Sequence, residues 1–456
     1  MSATTWQPAE QIAALIAQLT PPPGTQLVLA YSGGVDSEVL AHGLAQFANR
    51  HPEYRYLLVH VHHGLSGNAG RWATHCQRRA LVYGLPIKVK QVAVNTGPRV
   101  SLEAAARDAR YHALAQELTA GDLLLTAHHQ DDQLETLLLA LKRGLGPKGL
   151  AAMGEIQAFH QDKWLLRPLL DISRQQVEQF AVTHTIEHIE DESNLDNRFD
   201  RNFLRLEVIP ALRARWPAIA VTSARSAQLC AEQQALIDDE VASRLPAMLQ
   251  ETANASSPVL DLRLLAQQSA PWRAQLLRGF IDSLGFAMPS AAQLKQVLVQ
   301  LIDAKEDAKV EIRLNAMVLR RFRHQLYIDR YQPHAKLAPI NIRLSDALSQ
   351  HWPITDTASL QAKRCCHGAR LRLPMADEQV SVRFGAPGSL RCHPHFRDKG
   401  RELKKLWQEL AVPPWMRDQV PLIYFDDHLV AAVGYWVEKR FIALADDVGL
   451  VFELQA

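Results

Sequence analysis

The stretch that most restricts this chain is Ala30-Tyr31-Ser32-Gly33-Gly34-Val35-Asp36-Ser37. A Leu- and Val-rich run, Gln26 to Tyr31, leads into it. A run with Val39, Leu40, Leu44 and Phe47 at helical spacing leads out. Glycines let a backbone turn sharply and approach a ligand closely. The first turn of the following helix has unpaired N–H groups and a positive dipole end, which suit phosphate. Asp36 repels phosphate unless a cation lies between them, and Mg2+ takes a carboxylate together with phosphate oxygens. The plain alternative is an ordinary Gly-Gly turn between a strand and a helix.

Apolar runs alternate with helical patterns through the first half of the chain. Strands are expected at Tyr56–Val61, Ile87–Val94, Leu123–Ala127 and Trp164–Leu166. Helices are expected at residues 1–20, Arg71–Tyr83, Leu102–Leu118 and Gln130–Arg143. This alternation predicts βαβ units and a parallel sheet covered on both faces, an α/β Rossmann-like domain. Such sheets bind ligands beyond the carboxyl ends of their strands. The polar residues gather at those ends: Ser32 to Ser37, then His60 to Gly64, then His128 onward.

In His128-His129-Gln130-Asp131-Asp132-Gln133-Leu134-Glu135-Thr136, helical spacing puts Asp131, Asp132 and Glu135 in one acidic cluster near a helix start. Acids there cap a helix in any case; beside a phosphate loop they also suit a metal or a cationic substrate. Lys142 to Leu150, including Arg143, is a basic glycine-rich turn that reads equally as a helix end or a phosphate contact. Arg107 and Arg110 share a face of an alanine-rich helix. Arg201 and Arg205 share another, and paired guanidiniums suit phosphate.

From Ser223 to Arg330 helical periodicity dominates, ending in strands Lys309–Leu314 and Val318–Tyr327. These carry Arg313, Arg320, Arg321, Arg323 and His324. They read either as a polyanion-facing edge or as an edge strand blunted by charge. Residues 331–355 read as a linker. The remainder is strand-rich and holds Phe396 to Trp407, five basic and two acidic side chains, followed by Val412-Pro413-Pro414-Trp415-Met416-Arg417-Asp418. A basic helix with aromatics suits RNA, whereas Leu403, Leu406 and Trp407 could instead be its core face.

The 456 residues are too many for one ordinary domain. A net charge of +2 does not announce a nucleic-acid binder, so any basic surface must be local. The five cysteines form no Cys-x-x-Cys pair. That predicts a reducing compartment with no structural zinc and no iron–sulfur cluster. Cys365-Cys366-His367 and Cys392-x-x-His395 make a poor metal pattern. Met1 to Pro23 lacks the basic and apolar regions of a signal peptide, and no apolar run is long enough to span a membrane. A cytoplasmic protein is expected.

Ser32-Gly33-Gly34-x-Asp36-Ser37 resembles the pyrophosphate loop of the N-type ATP pyrophosphatases, not the Walker loop with its Lys. Further motifs follow in order: His60-Val61-x-His63-Gly64-Leu65, Glu103-Ala104-Ala105-Ala106-Arg107-x-x-Arg110-Tyr111, His128-His129-x-Asp131-Asp132-x-x-Glu135-Thr136, Arg143-Gly144-x-Gly146, Arg167-Pro168-Leu169-Leu170 and Asp191-x-Ser193-Asn194-x-Asp196-x-x-Phe199-x-Arg201-Asn202. Together they resemble the tRNA(Ile)-lysidine synthetase family over the first ~215 residues. His62 departs from the Asp or Asn of many relatives.

The resemblance implies ligation of free L-lysine to C2 of the wobble cytidine of a CAU-anticodon tRNA(Ile). ATP would first adenylate the base with loss of pyrophosphate, and AMP would leave as lysine attacks. It implies ATP and Mg2+, with Ser32, Gly33, Gly34, Val35, Asp36, Ser37, His60 and Arg107 at the nucleotide and Asp36 and Asp132 at the metal. Asp36, Asp131, Asp132, Glu135, Arg107 and Arg110 would be catalytic, their division of roles open. Arg143, Arg201, Arg205, Lys404, Lys405 and Arg417 would meet tRNA. The expected domains are a catalytic domain at 1–217, a mainly helical tRNA-binding domain at 218–332, a linker at 333–355 and an α+β tRNA-binding domain at 356–456. No membrane is involved, and a homodimer is left open. Two other readings compete: a different ATP pyrophosphatase, such as a tRNA thiolase or a glutamine-dependent synthetase, and a non-catalytic RNA-binding protein. The missing Cys-x-x-Cys pairs and the intact acidic and glycine motifs disfavour them.

Overall fold

The structure, a computed structural model, describes residues 6–62, 67–94, 102–160, 162–192, 196–252, 257–305, 308–331, 337–343, 349–354, 358–445 and 447–455. His63, Gly64 and Leu65 of the second motif, and Ser193 and Asn194 of the last, lie outside them. The chain divides into two compact units, Met1–Asp239 and Glu240–Ala456.

The first unit contains α1 (Pro8–Leu19), β1 (Gln26–Ala30), α2 (Val35–Arg50), β2 (Arg55–His62), α3 (Ala69–Tyr83), β3 (Ile87–Gln91), α4 (Leu102–Ala115), β4 (Leu123–Leu125) and α5 (Gln130–Lys142). A short α6 (Pro147–Leu150), β5 (Ile156–Phe159), β6 (Lys163–Leu166), α7 (Arg174–Thr183), α8 (Asp200–Phe203), α9 (Ile209–Arg215) and α10 (Ile219–Arg244) follow; the last helix contains the boundary. Among the described residues the sheet order is β3-β2-β1-β4-β6-β5. Every pairing is parallel except β5 with β6. Side chains on a strand alternate between faces. Leu27 and Leu29 accordingly join Leu40, Leu44 and Phe47 of α2 in one core, while Val28 joins Leu57, Val59, Leu114 and Leu165 in the other.

The chain winds outward from β1 through β2 to β3, then returns to place β4 on the other flank of β1. The strand order therefore reverses between β1 and β4, and an open α/β sheet leaves a crevice at that point. The loop after β1 and the acidic segment after β4 are the two walls of this crevice. The antiparallel edge β5 and helix α7 have no counterpart in the sequence expectation. β5 follows a positive-φ residue, Ala152, and is held by register against β6.

The second unit begins with β7 (Leu249–Gln250), β8 (Val259–Asp261), α11 (Leu262–Ala266), α12 (Ala270–Ser283), α13 (Ala291–Ile302), β9 (Val310–Leu314), β10 (Met317–Phe322) and β11 (Gln325–Arg330). Its later part contains β12 (Ile340–Ile342), β13 (Ser349–Pro353), β14 (Ser359–Cys365), β15 (Val380–Phe384), β16 (Arg391–Cys392), β17 (Arg401–Glu402), α14 (Leu403–Glu409), α15 (Pro414–Arg417), β18 (Pro421–Phe425), β19 (His428–Ala432), β20 (Trp436–Val437) and β21 (Gly449–Gln455). The segment expected as a linker at 333–355 carries two paired strands. β12 lies on β15 and β13 on β14, because Ile342 fills the same core as Val382 and Phe425.

Among the described residues the expected basic edge is found only at β9, the outer strand of its sheet, where exposed Arg313 pairs with Glu311 at 2.7 Å; at β10 it is corrected. β10 lies inside the sheet β7-β8-β11-β10-β9, and Arg320 and Arg321 are buried. Arg320 pairs with Glu311 at 2.9 Å and lies over the Trp415 ring; Arg321 donates to the carbonyls of Leu301 and Ala304. These cations serve the fold. Among the described residues no helix is long and apolar enough to cross a membrane.

Candidate active site

The β1–α2 loop is built from its own hydroxyls. Gly33 takes φ +86°, and Gly34 is extended at the helix N-cap. Ser37 Oγ accepts from Gly33 N at 3.0 Å and donates to Gly34 O at 3.0 Å; Ser32 Oγ lies 3.0 Å from Ser37 Oγ and accepts from Gly34 N at 3.3 Å. These bonds hold the loop against the start of α2, where an anion is favoured. Asp36 stands in the first turn of that helix, and its Oδ1 is buried with no hydrogen-bond partner among the described residues.

Across the crevice, α5 begins at His129, whose backbone N–H donates to Asp132 Oδ2 at 3.0 Å. The buried His129 ring spans the gap: Nε2 lies 3.5 Å from Asp132 and 3.7 Å from Asp36. Burial depresses the His129 pKa, but Asp132 and Asp36 more than offset it and the net shift is upward. Burial likewise opposes the Asp132 charge, and His129, its backbone N–H and Arg205 hold its carboxyl below the usual range.

The acidic cluster divides between two tasks. Asp131 accepts from Arg174 N at 2.8 Å, at the start of α7, and is paired with Arg213. Glu135 is fully buried and bidentate with Arg205 (2.8 and 3.0 Å), which also reaches Asp132 at 3.4 Å. Burial outweighs the Arg205 pairing, so the Glu135 carboxyl is pushed above the usual range.

Asp36 and Asp132 face one cleft of about 210 Å3, lined also by Ser32, Ser37, Arg110, Tyr111 and His128. A second cavity of about 410 Å3 touches Asp131, Glu135, Arg174, Arg205 and Arg213. Among the described residues no three His, Cys, Asp or Glu side chains are grouped to hold a metal unaided. Two carboxylates, one with an unpartnered oxygen, suit a hard cation that takes its other ligands from phosphates. The residues present therefore fit Mg2+ bound with a nucleotide.

The cleft has a cationic wall. Arg107 and Arg110 lie against Tyr111, with guanidinium carbons 4.9 and 5.7 Å from its ring centre. Burial, with repulsion from Arg107 and Arg201, lowers the Arg110 pKa; burial and Arg107 lower that of Arg167. Burial and these nearby cations also keep His128 neutral by depressing its pKa. Cations set this close favour an anion among them.

Of the residues expected at tRNA, Arg201 donates to Thr136 Oγ1 at 3.3 Å and Arg205 serves the acids. Arg143 is exposed at the end of α5. Lys404 and Lys405 are exposed on α14, while Leu403, Leu406 and Trp407 of the same helix are buried. Trp407 packs on Trp436 at 4.9 Å and offers no face to a base. Arg417 donates to Val412 O at 3.0 Å and staples its own loop. His60 does not line the cleft: it is buried behind the loop with Nδ1 3.0 Å from Tyr31 O.

Residues 7–212 match a PP-loop domain, residues 260–327 a TilS substrate binding domain and residues 380–454 a TilS substrate C-terminal domain. The tRNA(Ile)-lysidine synthases of Shewanella woodyi and Shewanella oneidensis are each 56% identical to the chain. The matches cover 94% of this chain and 93% and 94% of those proteins. That of Escherichia coli O157:H7 is 41% identical over 94% of this chain and 96% of its own. The chain belongs to the tRNA(Ile)-lysidine synthase family. It is thus an ATP-using ligase of the PP-loop class. Two buried groups beside the loop and cleft, Arg167 and Glu38, carry little sequence signal. Arg167 opens the Arg167-Pro168-Leu169-Leu170 motif, yet only the fold shows it reaching Gly154 O and Gln157 while repelling Arg107. Glu38 gave no signal beyond its place after Ser37.

Proposed function

We propose that the chain ligates lysine to C2 of the wobble cytidine in CAU-anticodon tRNA(Ile), using ATP. The observation that carries this is the facing of the Ser32–Ser37 loop and the Asp132 end of α5 across the strand-order reversal, in a chain of this family. The Ser32, Gly33, Gly34, Val35 and Ser37 backbone and hydroxyls orient the phosphates. Asp36 and Asp132 hold Mg2+, which offsets the charge that builds in phosphoryl transfer. Arg107 and Arg110 meet the adenylate or a tRNA phosphate. The target base, unstacked in an anticodon loop, is adenylated at O2 with release of pyrophosphate.

Lysine then replaces AMP. Glu135 and Asp132 are the carboxylates of choice for its ammonium. The raised pKa of Glu135 brings it closer to accepting the proton that the amine must lose before attack. Asp131, tied to Arg174 and Arg213, holds α7 and α9 in place.

Arg143, Arg201, Lys404 and Lys405 are the remaining candidates for tRNA phosphates. The reading also takes in a catalytic domain at 1–217, tRNA-binding domains at 218–332 and 356–456, a cytoplasmic setting and a homodimer, the last read by light scattering. The test is incorporation of labelled lysine into CAU-anticodon tRNA(Ile) and elongator tRNA(Met), with ATP and Mg2+. Label on the first alone is expected. AMP release without label on either would move the chain to another nucleotide-activating reaction.

A further inference from the structure

Both ends of the phosphate loop are tied to one buried carboxylate that no step above uses. Glu38 follows Ser37 directly, yet its side chain is 0% exposed. Tyr31, the residue before Ser32, gives its hydroxyl to Glu38 Oε1. Three groups of α3 hold the same carboxylate: His75 Nε2 at 3.1 Å, Arg79 Nε at 3.3 Å and Tyr83 OH at 2.7 Å. Tyr31 is also fixed along its backbone, its N–H donating to Val59 O at 2.9 Å and its carbonyl accepting from His60 Nδ1. A charge taken out of water is costly unless fully paired, and a well-packed apolar side chain of the same size would often do as well for stability. What a polar network adds is one fixed arrangement.

The geometry points to Glu38 as a positioning residue of the phosphate loop, joining Tyr31 at its entry to the first turn of α2 at its exit. The Ser32–Ser37 backbone is then held in its anion-accepting form before nucleotide arrives. Affinity for a ligand falls in proportion to the fraction of molecules in the competent form, so loosening the tie weakens nucleotide binding without touching the phosphates. Burial, then Glu38, pushes the Tyr31 hydroxyl pKa up, so it remains a donor at any working pH. The inference rests on the nucleotide reading proposed above.

Tyr31→Phe and Tyr83→Phe, made separately in the full chain, test it. Each removes one hydroxyl from the same carboxylate, but only Tyr31 belongs to the loop. Titration with a non-hydrolysable ATP analogue, with Tm measured alongside, reads both. Tyr31→Phe should weaken analogue binding and raise the ATP KM about five- to tenfold, with the lysine KM and kcat within twofold of the parent. Tyr83→Phe should lower Tm comparably and keep analogue binding within twofold. Parent-like binding by Tyr31→Phe, or equal weakening by both variants, would overturn the tie. A parent protein that binds no analogue would instead remove the nucleotide reading on which it stands.

Discussion

Gly33 and Gly34 are neighbours with different obligations. Gly33 sits at φ +86°, where an L side chain is strained, and a Cβ there would lie 2.6 Å from Ile189 Cδ1 and 2.9 Å from Cys76 Sγ. Gly33→Ala should therefore cost about 2–4 kcal/mol, strain and overpacking together, in urea unfolding. At Gly34 the backbone is extended and a Cβ would meet Ser32 Oγ at 3.6 Å, an ordinary contact. Gly34→Ala should stay within about 0.5 kcal/mol of the parent and act on the ATP KM instead. Equal stability loss in both would mean that the loop is not packed as described. Asp36 is the third residue of this set. Its unpartnered Oδ1 makes no bond the fold requires, so Asp36→Asn should preserve Tm while AMP formation falls by at least about 100-fold. Parent-like AMP release would take the metal away from Asp36.

At the scale of elements, what a helix or strand presents was legible where periodicity speaks and illegible where partners come from elsewhere. The spacing of Leu403, Leu406 and Trp407 marks a core face of α14, and all three are buried beneath exposed Lys404 and Lys405. Reversing both lysines to Glu leaves that core intact. It should raise the tRNA KM several-fold, lower the salt slope of tRNA binding by about 2 and leave ATP binding alone. An unchanged slope would remove α14 from the RNA surface. The arginines of β10 and of the turn after it look alike in sequence but had no such signal. Glu311 comes from the neighbouring strand, and Trp415 and Gln408, which Arg320 and Arg323 reach, lie far along the chain. Likewise the Asp131–Asp132–Glu135 spacing placed three acids at one helix start. It could not show that Asp131 turns to α7 while Asp132 turns to the His129 ring that also faces Asp36, because the deciding groups are on α7, α9 and the first turn of α2.

At the scale of the whole chain, the α/β character of the first half followed from alternating strand and helix patterns. The strand order, which creates the crevice, is a property of pairing that no local pattern contains. Each of the two units has its own apolar core, one around Leu27, Leu40 and Leu58, the other around Leu360, Val382 and Ile423. The groups proposed for nucleotide all lie in the first. A ligand stabilises only what it binds, by about 2.7 kcal/mol at one hundred times its Kd. Calorimetry of the full chain with and without a saturating ATP analogue and Mg2+ should therefore resolve two transitions, with the analogue moving one of them upward by several degrees and leaving the other in place. The unmoved transition should respond to Lys404 and Lys405 substitutions only within error, since those side chains lie outside either core. A single transition that moves as a whole would show that nucleotide stability is shared across both units, and the tRNA-side variants would then have to be judged by their effect on ATP binding as well.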